Sequence, residues 1–180
     1  ADGASVAIAF LKHGDSIGPY LVKRPIQCLS DSQVYLCNDP DGHPLCVKTC
    51  KLSNRKVRAA LEHEASTLKL LEGALAPRLI GVFETSSNFC LASEWIDGLN
   101  LGAFSRKIRG QDVAKRDLAL IDMCIAVAEM YDQLHQLNIL HGDVHPGNVL
   151  VSQDGNYRLL DFGLSRLLEV NSPLGYGGVA

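Results

Sequence analysis

The sequence predicts an α+β fold in two unequal lobes, and three observations predict it. Strand-like segments with a single helix fill the first half. Two helices and one small hairpin fill the second, and a polar break at Ile96-Asp97-Gly98 separates the halves. The 180 residues are long enough for one well-buried domain, with a sheet-rich N-lobe over 1–95, a hinge at 96–98 and a reduced, mainly helical C-lobe over 99–180.

The elements follow in order. Ile26–Leu29, Val34–Cys37 and Leu45–Lys48 are strand-like, and Asn38-Asp39-Pro40-Asp41-Gly42 between the last two is hairpin chemistry. Ser53 and Asn54 are capping residues for a helix ending near Gly73, with apolar Val57, Ala60, Leu61, Leu68 and Leu71 at helical spacing. Strands Leu79–Glu84 and Phe89–Ser93 flank the turn Thr85-Ser86-Ser87-Asn88. Beyond the hinge, a short helix is predicted over Leu101–Arg109 and a long one over Val113–Leu137. The long helix is expected to bury Leu120, Ile121, Cys124, Ala128, Tyr131 and Leu134. A polar loop, 142–147, then leads into Asn148–Val151, and Asp154-Gly155-Asn156 turns the chain back along Tyr157–Leu160.

Composition narrows the function. Hydrophobic residues at 47% and charged residues at 21% are ordinary for a globular domain. A net charge of −3 with no basic run argues against a nucleic-acid partner. The apolar stretch Val6–Leu11 is far below the ~20 residues that span a bilayer, and no basic segment precedes it as in a secretory signal. Cys28, Cys37, Cys46, Cys50, Cys90 and Cys124 are irregularly spaced, which points to reduced structural thiols and a cytosolic site of action.

The chemistry concentrates between His141 and Gly163. Asp143 and Asn148 lie five apart in the polar loop, and Asp161 follows Asn148 by thirteen across a hairpin. A hairpin returns its ends to one place, so three hard oxygen donors converge as a shared metal requires. His141-Gly142-Asp143-Val144-His145-Pro146-Gly147-Asn148 resembles the catalytic loop of the protein-kinase superfamily, and Asp161-Phe162-Gly163 its DFG motif.

That resemblance implies a bilobal kinase-like fold, ATP and Mg²⁺ as cofactors, and a protein hydroxyl as acceptor. It makes Asp143 the base and Asn148 and Asp161 the metal ligands. Cys46-Val47-Lys48 resembles the family's lysine strand, which gives Lys48 the α/β-phosphates. Glu62 and Glu64 are both candidate partners for Lys48. Glu64 is chosen because the residue four further on, Leu68, suits an apolar spine, whereas Ser66 does not; Phe162 and His141 would stack on the same spine. Phe89–Trp95 resembles the last N-lobe strand and hinge, with Ser93 as gatekeeper and Glu94 and Ile96 facing adenine. Val34, Cys46 and Leu150 would sandwich the base.

Three features depart from the family pattern. No glycine stands between the first two strands, where Ser30 and Ser32 could donate to phosphate and Asp31 would repel it. Gly142 replaces an arginine, which argues against control by loop phosphorylation, and His145 replaces a lysine. The residues after Gly163 hold no Ala-Pro-Glu, so a minimal or atypical kinase, a sequence that stops short of the full lobe, or a lobe completed by a partner is expected. Kinases of this kind include effectors delivered into host cells. The tail Leu174–Gly178 is expected to fray. The leading expectation is a Ser/Thr protein kinase. The alternatives are a pseudokinase-like nucleotide-binding module and, last, a small-molecule kinase.

Overall fold

The computed structural model describes residues 10–168. The tail Leu174–Gly178 and most of Val6–Leu11 lie outside the described residues. The chain divides into two compact units after Ile96.

The first unit is a six-stranded antiparallel sheet in the order β1-β2-β3-β4-β6-β5. Its elements are β1 (Ser16–Ile17), β2 (Tyr20–Cys28), β3 (Ser32–Asn38), β4 (Pro44–Lys51), α1 (Arg55–Leu71), β5 (Leu79–Glu84) and β6 (Asn88–Glu94). Pro25 is tolerated within β2 because β1 pairs only with Tyr20 and Leu21, which leaves the edge beside Pro25 open; two register shifts accompany it. Alternation sorts β3, β4 and β6 into two faces. Tyr35, Cys37, Leu45, Val47, Cys90 and Ala92 point one way and form a core with Ile17 and Val22. Lys48, Cys46, Val34, Leu91 and Ser93 share the opposite face by register.

Helix α1 begins where the Asn54 side chain accepts from the Val57 N–H. It ends where Glu72, at φ 48°, donates its N–H to the Leu68 carbonyl. Its buried face, Leu61, Glu64, Ala65, Thr67, Leu68 and Leu71, follows the predicted spacing. Leu61 joins Cys50 and Phe89 in a second cluster. Arg58 binds Glu62 and Glu84, each at 2.8 Å, and so ties α1 to β5.

The second unit holds β7 (Gly98–Asn100), α2 (Leu101–Arg109), α3 (Val113–Gln136), β8 (Ile139–Leu140), a 3-10 turn (Pro146–Asn148), β9 (Val149–Ser152), β10 (Tyr157–Leu159) and β11 (Arg166–Leu167). Two points correct the sequence reading. Gly98 is not hinge but strand: it pairs with Ser152, and a Cβ there would lie 2.3 Å from the Val151 carbonyl oxygen. Asp97 beside it accepts from Gln153 Nε2 at 2.6 Å.

The second correction concerns α3. Leu134 and Met130 are buried and Leu120, Met123, Ala126 and Tyr131 half-buried, whereas Ile121, Cys124 and Ala128, expected inside, are exposed. The helix is apolar on more than one side, so 3.6-residue spacing fits two stripes and does not choose between them.

All six cysteines are free thiols. Burial pushes Cys37 and Cys90 up to about 12.

Two outcomes follow from this packing. Leu134→Ala should lower unfolding free energy by about 2–5 kcal/mol and Ile121→Ala by less than about 0.5 kcal/mol, read from denaturant midpoints. The buried thiols are neutral in the folded state and ionise more easily once unfolded. Their stabilisation is therefore complete below pH 9 and lost as pH rises toward 12. Urea midpoints at about pH 8 and about pH 10.5 should differ in that direction, and less so in a Cys37→Ala, Cys90→Ala double variant.

Candidate active site

The first unit holds a charged pair set into an apolar face. Lys48 of β4 meets Glu64 of α1, with Nζ 2.6 Å from Oε1. The carboxylate is only 4% exposed and the lysine 18%. Glu62, the alternative partner, is engaged with Arg58. Half-buried Val34 lies opposite Lys48 on β3, and half-buried Cys46 lies opposite buried Ser93 on β6. Burial raises the Cys46 thiol to about 11, with Lys48 pulling the other way. Leu36 pairs with Cys46 and shares this face, a residue the sequence reading passed over although its alternation with Val34 signals it.

Glu94 closes β6 by a reciprocal contact. Its N–H donates to the Arg78 carbonyl, and its carboxylate accepts from the Arg78 N–H at 3.1 Å. Half-buried Ile96 is the last residue of the unit. Ser30 lies in the β2–β3 turn and Ser32 opens β3; the turn closes tightly, with the Leu29 N–H donating to the Ser32 carbonyl at 2.9 Å. Asp31 is exposed at its apex.

The second unit holds the loop and hairpin. Asn148 Nδ2 donates to both the backbone oxygen (3.1 Å) and Oδ2 (2.8 Å) of Asp143. The Leu160 N–H donates to the Asn148 carbonyl at 2.8 Å, which brings Asp161 alongside. The Leu160 carbonyl accepts from His141 Nε2 at 2.9 Å. Only an N–H can serve a carbonyl, so neutral His141 carries its proton on Nε2 and keeps Nδ1 as acceptor for the Asp143 N–H at 3.4 Å. His141 packs at a tilt of 56° against fully buried Phe162, with 4.8 Å between ring centroids. Asp161 itself has φ 62°, a left-handed conformation that a non-glycine residue adopts only where its surroundings hold it. Half-buried Leu150 sits in β9, opposite Arg158. His145 Nδ1 accepts from the Gly147 N–H at 3.0 Å and shapes the 3-10 turn.

The residues present suit a divalent cation. Asn148 spends its amide protons on Asp143, which leaves its Oδ1 as an acceptor. That oxygen and the Asp161 carboxylate are the hard donors magnesium takes.

Comparison with known proteins agrees with this geometry. Residues 30–176 match the Protein kinase domain family, and the chain belongs to it. It is 28% identical over 165 residues to "Probable serine/threonine protein kinase IRE" of Arabidopsis thaliana, covering 89% of this chain and 14% of that protein. It is 31% identical over 137 residues to "Myosin light chain kinase 3" of Rattus norvegicus, covering 74% and 17%. Against a second serine/threonine-protein kinase of Arabidopsis thaliana it is 32% identical over 123 residues, covering 68% and 21%. The chain thus spans between about one seventh and one fifth of the length of these relatives. No helix among the described residues is long and apolar enough to cross a membrane.

The Lys48–Glu64 pair yields a stability test. Glu64→Leu alone should cost about 1.5–3 kcal/mol, because it removes a buried carboxylate hydrogen-bonded to the Lys48 ammonium. The double variant Lys48→Met, Glu64→Leu should recover most of that loss. Chemical denaturation of the four proteins gives the coupling, and strict additivity of the single changes would contradict the pairing.

Proposed function

We propose that the chain is an ATP- and magnesium-dependent phosphotransferase, an atypical protein kinase that transfers the γ-phosphoryl group of ATP to a serine or threonine hydroxyl of a protein. The observation that carries this reading is the bonding of Asn148 to Asp143 with Asp161 held alongside through Leu160. Lys48, braced by Glu64, would grip the α/β-phosphates, while Val34, Cys46, Ser93, Glu94, Ile96 and Leu150 would receive the adenine end. Ser30 in the β2–β3 turn and Ser32 at the start of β3 would donate to phosphate.

Asn148 and Asp161 would hold magnesium, which when bound supplies neutralisation of phosphate charge. Asp143 would orient the acceptor hydroxyl and take its proton as the new oxygen–phosphorus bond forms and the bond to the leaving ADP oxygen breaks. Asn148 holds the Asp143 carboxylate in place, so the base is positioned before substrate arrives. The free thiols support action in a reducing compartment.

Incubation with labelled ATP, Mg²⁺ and unstructured Ser/Thr-rich proteins should give transfer that Asp143→Ala lowers by about 10²–10⁴-fold. The glycine-free turn with Asp31 at its apex favours a second reading, a nucleotide-binding module without turnover. Thermal stabilisation by ATP, with transfer that is undetectable and unchanged in Asp143→Ala, would establish that second reading and exclude the first.

A further inference from the structure

Gly142 is the loop position where the family resemblance expects an arginine side chain. It sits at φ 80°, and a Cβ built on it would lie 2.2 Å from the carbonyl oxygen of Leu164 and 2.9 Å from its carbon. The obstacle is backbone, so no rotamer change relieves it. The backbone of residue 142 is therefore in direct apposition with the segment that follows Asp161.

The same segment is held again further along. Arg166 and Leu167 pair with Leu140 and Ile139, and the Leu168 N–H donates to the Asn138 carbonyl at 2.7 Å. Asn138 is itself in the left-handed region at φ 58°. Strand β8 thus has a positive-φ residue just before it and another two residues after it, and each meets the segment: Asn138 at Leu168, Gly142 at Leu164. Between them the chain is knitted inward, because the Ser165 N–H and Oγ both bond the Phe162 carbonyl, at 3.0 and 2.8 Å. The Gly163 N–H lies 3.4 Å from Asp161 Oδ1.

Side-chain burial does little of this holding. Leu164 is 64% exposed and Leu167 60% exposed; Phe162 and Ser165 are the buried anchors. Backbone contact with the 138–142 stretch is what locates the segment. A methyl group at residue 142 must push Leu164 away, and the turn of residues 162–165 carries that movement to Asp161.

We propose that Gly142 is a positioning residue for Asp161: the absence of a side chain lets the 138–142 backbone clamp residues 162–168 and so fixes the Asp161 carboxylate. Its consequence for magnesium rests on the phosphotransferase reading; the clamp itself does not. The clamp acts without any charged side chain at 142 and without a modified residue in the segment.

Gly142→Ala tests it by two measurements. Hydrogen exchange should accelerate at the amides of residues 164–168 while the β9–β10 hairpin keeps its wild-type protection. The gain in ADP affinity produced by Mg²⁺ should fall by about tenfold or more, as when a metal ligand loses its support, with metal-free ADP affinity unchanged. Asp161→Asn should abolish that gain without loosening residues 166–168. Wild-type exchange across 164–168 in Gly142→Ala overturns the proposal. Equal loosening of the hairpin and the segment overturns it too. Should Gly142→Ala fail to fold, Leu168→Pro, which removes the N–H donor at the other end of the clamp, is read by the same two measurements. A wild-type protein whose ADP affinity ignores Mg²⁺ would sink the phosphotransferase reading, and the exchange pattern would then decide the clamp alone.

Discussion

The backbone of Leu160 is the constraint on which the second unit depends. Its N–H is bonded to Asn148 and its carbonyl to His141, so the end of the β10 strand is fixed at both polar groups to one loop. Neither bond is replaceable by local rearrangement, because His141 is 2% exposed and water does not readily take its place. Fixing Leu160 fixes the start of Asp161, and the left-handed φ of Asp161 then becomes a conformation the structure imposes rather than one the residue prefers. The tautomer of His141 follows from the same bond, and with it the acceptor that receives the Asp143 N–H. The backbone of one residue thereby orients the Asp143 loop, Asn148 and the start of Asp161 together. Tyr131 packs edge-on to His141 at 6.1 Å, and its hydroxyl oxygen is buried without a hydrogen-bond partner among the described residues, a local cost beside this centre.

The first unit answers a different problem, how to keep an ammonium group on an apolar sheet face. Solvation is lost there, and a carboxylate at 2.6 Å restores part of it only because α1 is rigidly placed. The cap at Asn54, the Arg58 bridge to Glu84 and the buried Leu61, Leu68 and Leu71 all serve to hold Glu64 where Lys48 can use it. Packing and charge placement are thus one design, since loosening the helix would release the pair.

Most of this was legible in the sequence, and the failures have physical causes. Strand alternation placed β3, β4 and β6, and the family resemblance, which implies an apolar spine residue four after the paired carboxylate, distinguished Glu64 with its Leu68 from Glu62 with its Ser66. The α3 face was misjudged at Ile121, Cys124 and Ala128, since a helix apolar on several sides carries no unique phase. Strands β7, β8 and β11 escaped notice because two or three residues are too few for periodicity, and their existence rests on long-range pairing. Gly98 read as a breaker for a related reason: glycine marks a turn and a close backbone approach with the same letter.

Glycine placement also separates this chain from the pattern its motifs resemble. A glycine in the β2–β3 turn would leave its backbone amides adaptable; here that turn is closed by the Leu29–Ser32 bond and by Gln33 Nε2 donating to the Leu29 carbonyl. Non-glycine residues restrict the chain before nucleotide arrives, so the turn begins stiffer and has fewer ways to wrap a phosphate. At residue 142 the substitution runs the other way, and glycine stands where bulk was expected, against a backbone that leaves no room for Cβ. Under the phosphotransferase reading, nucleotide grip then rests more on Lys48 and on the oxygen donors of Asn148 and Asp161 than on the turn. Affinity for nucleotide without metal should accordingly be weak, because the groups best organised in this chain are those that act through the cation.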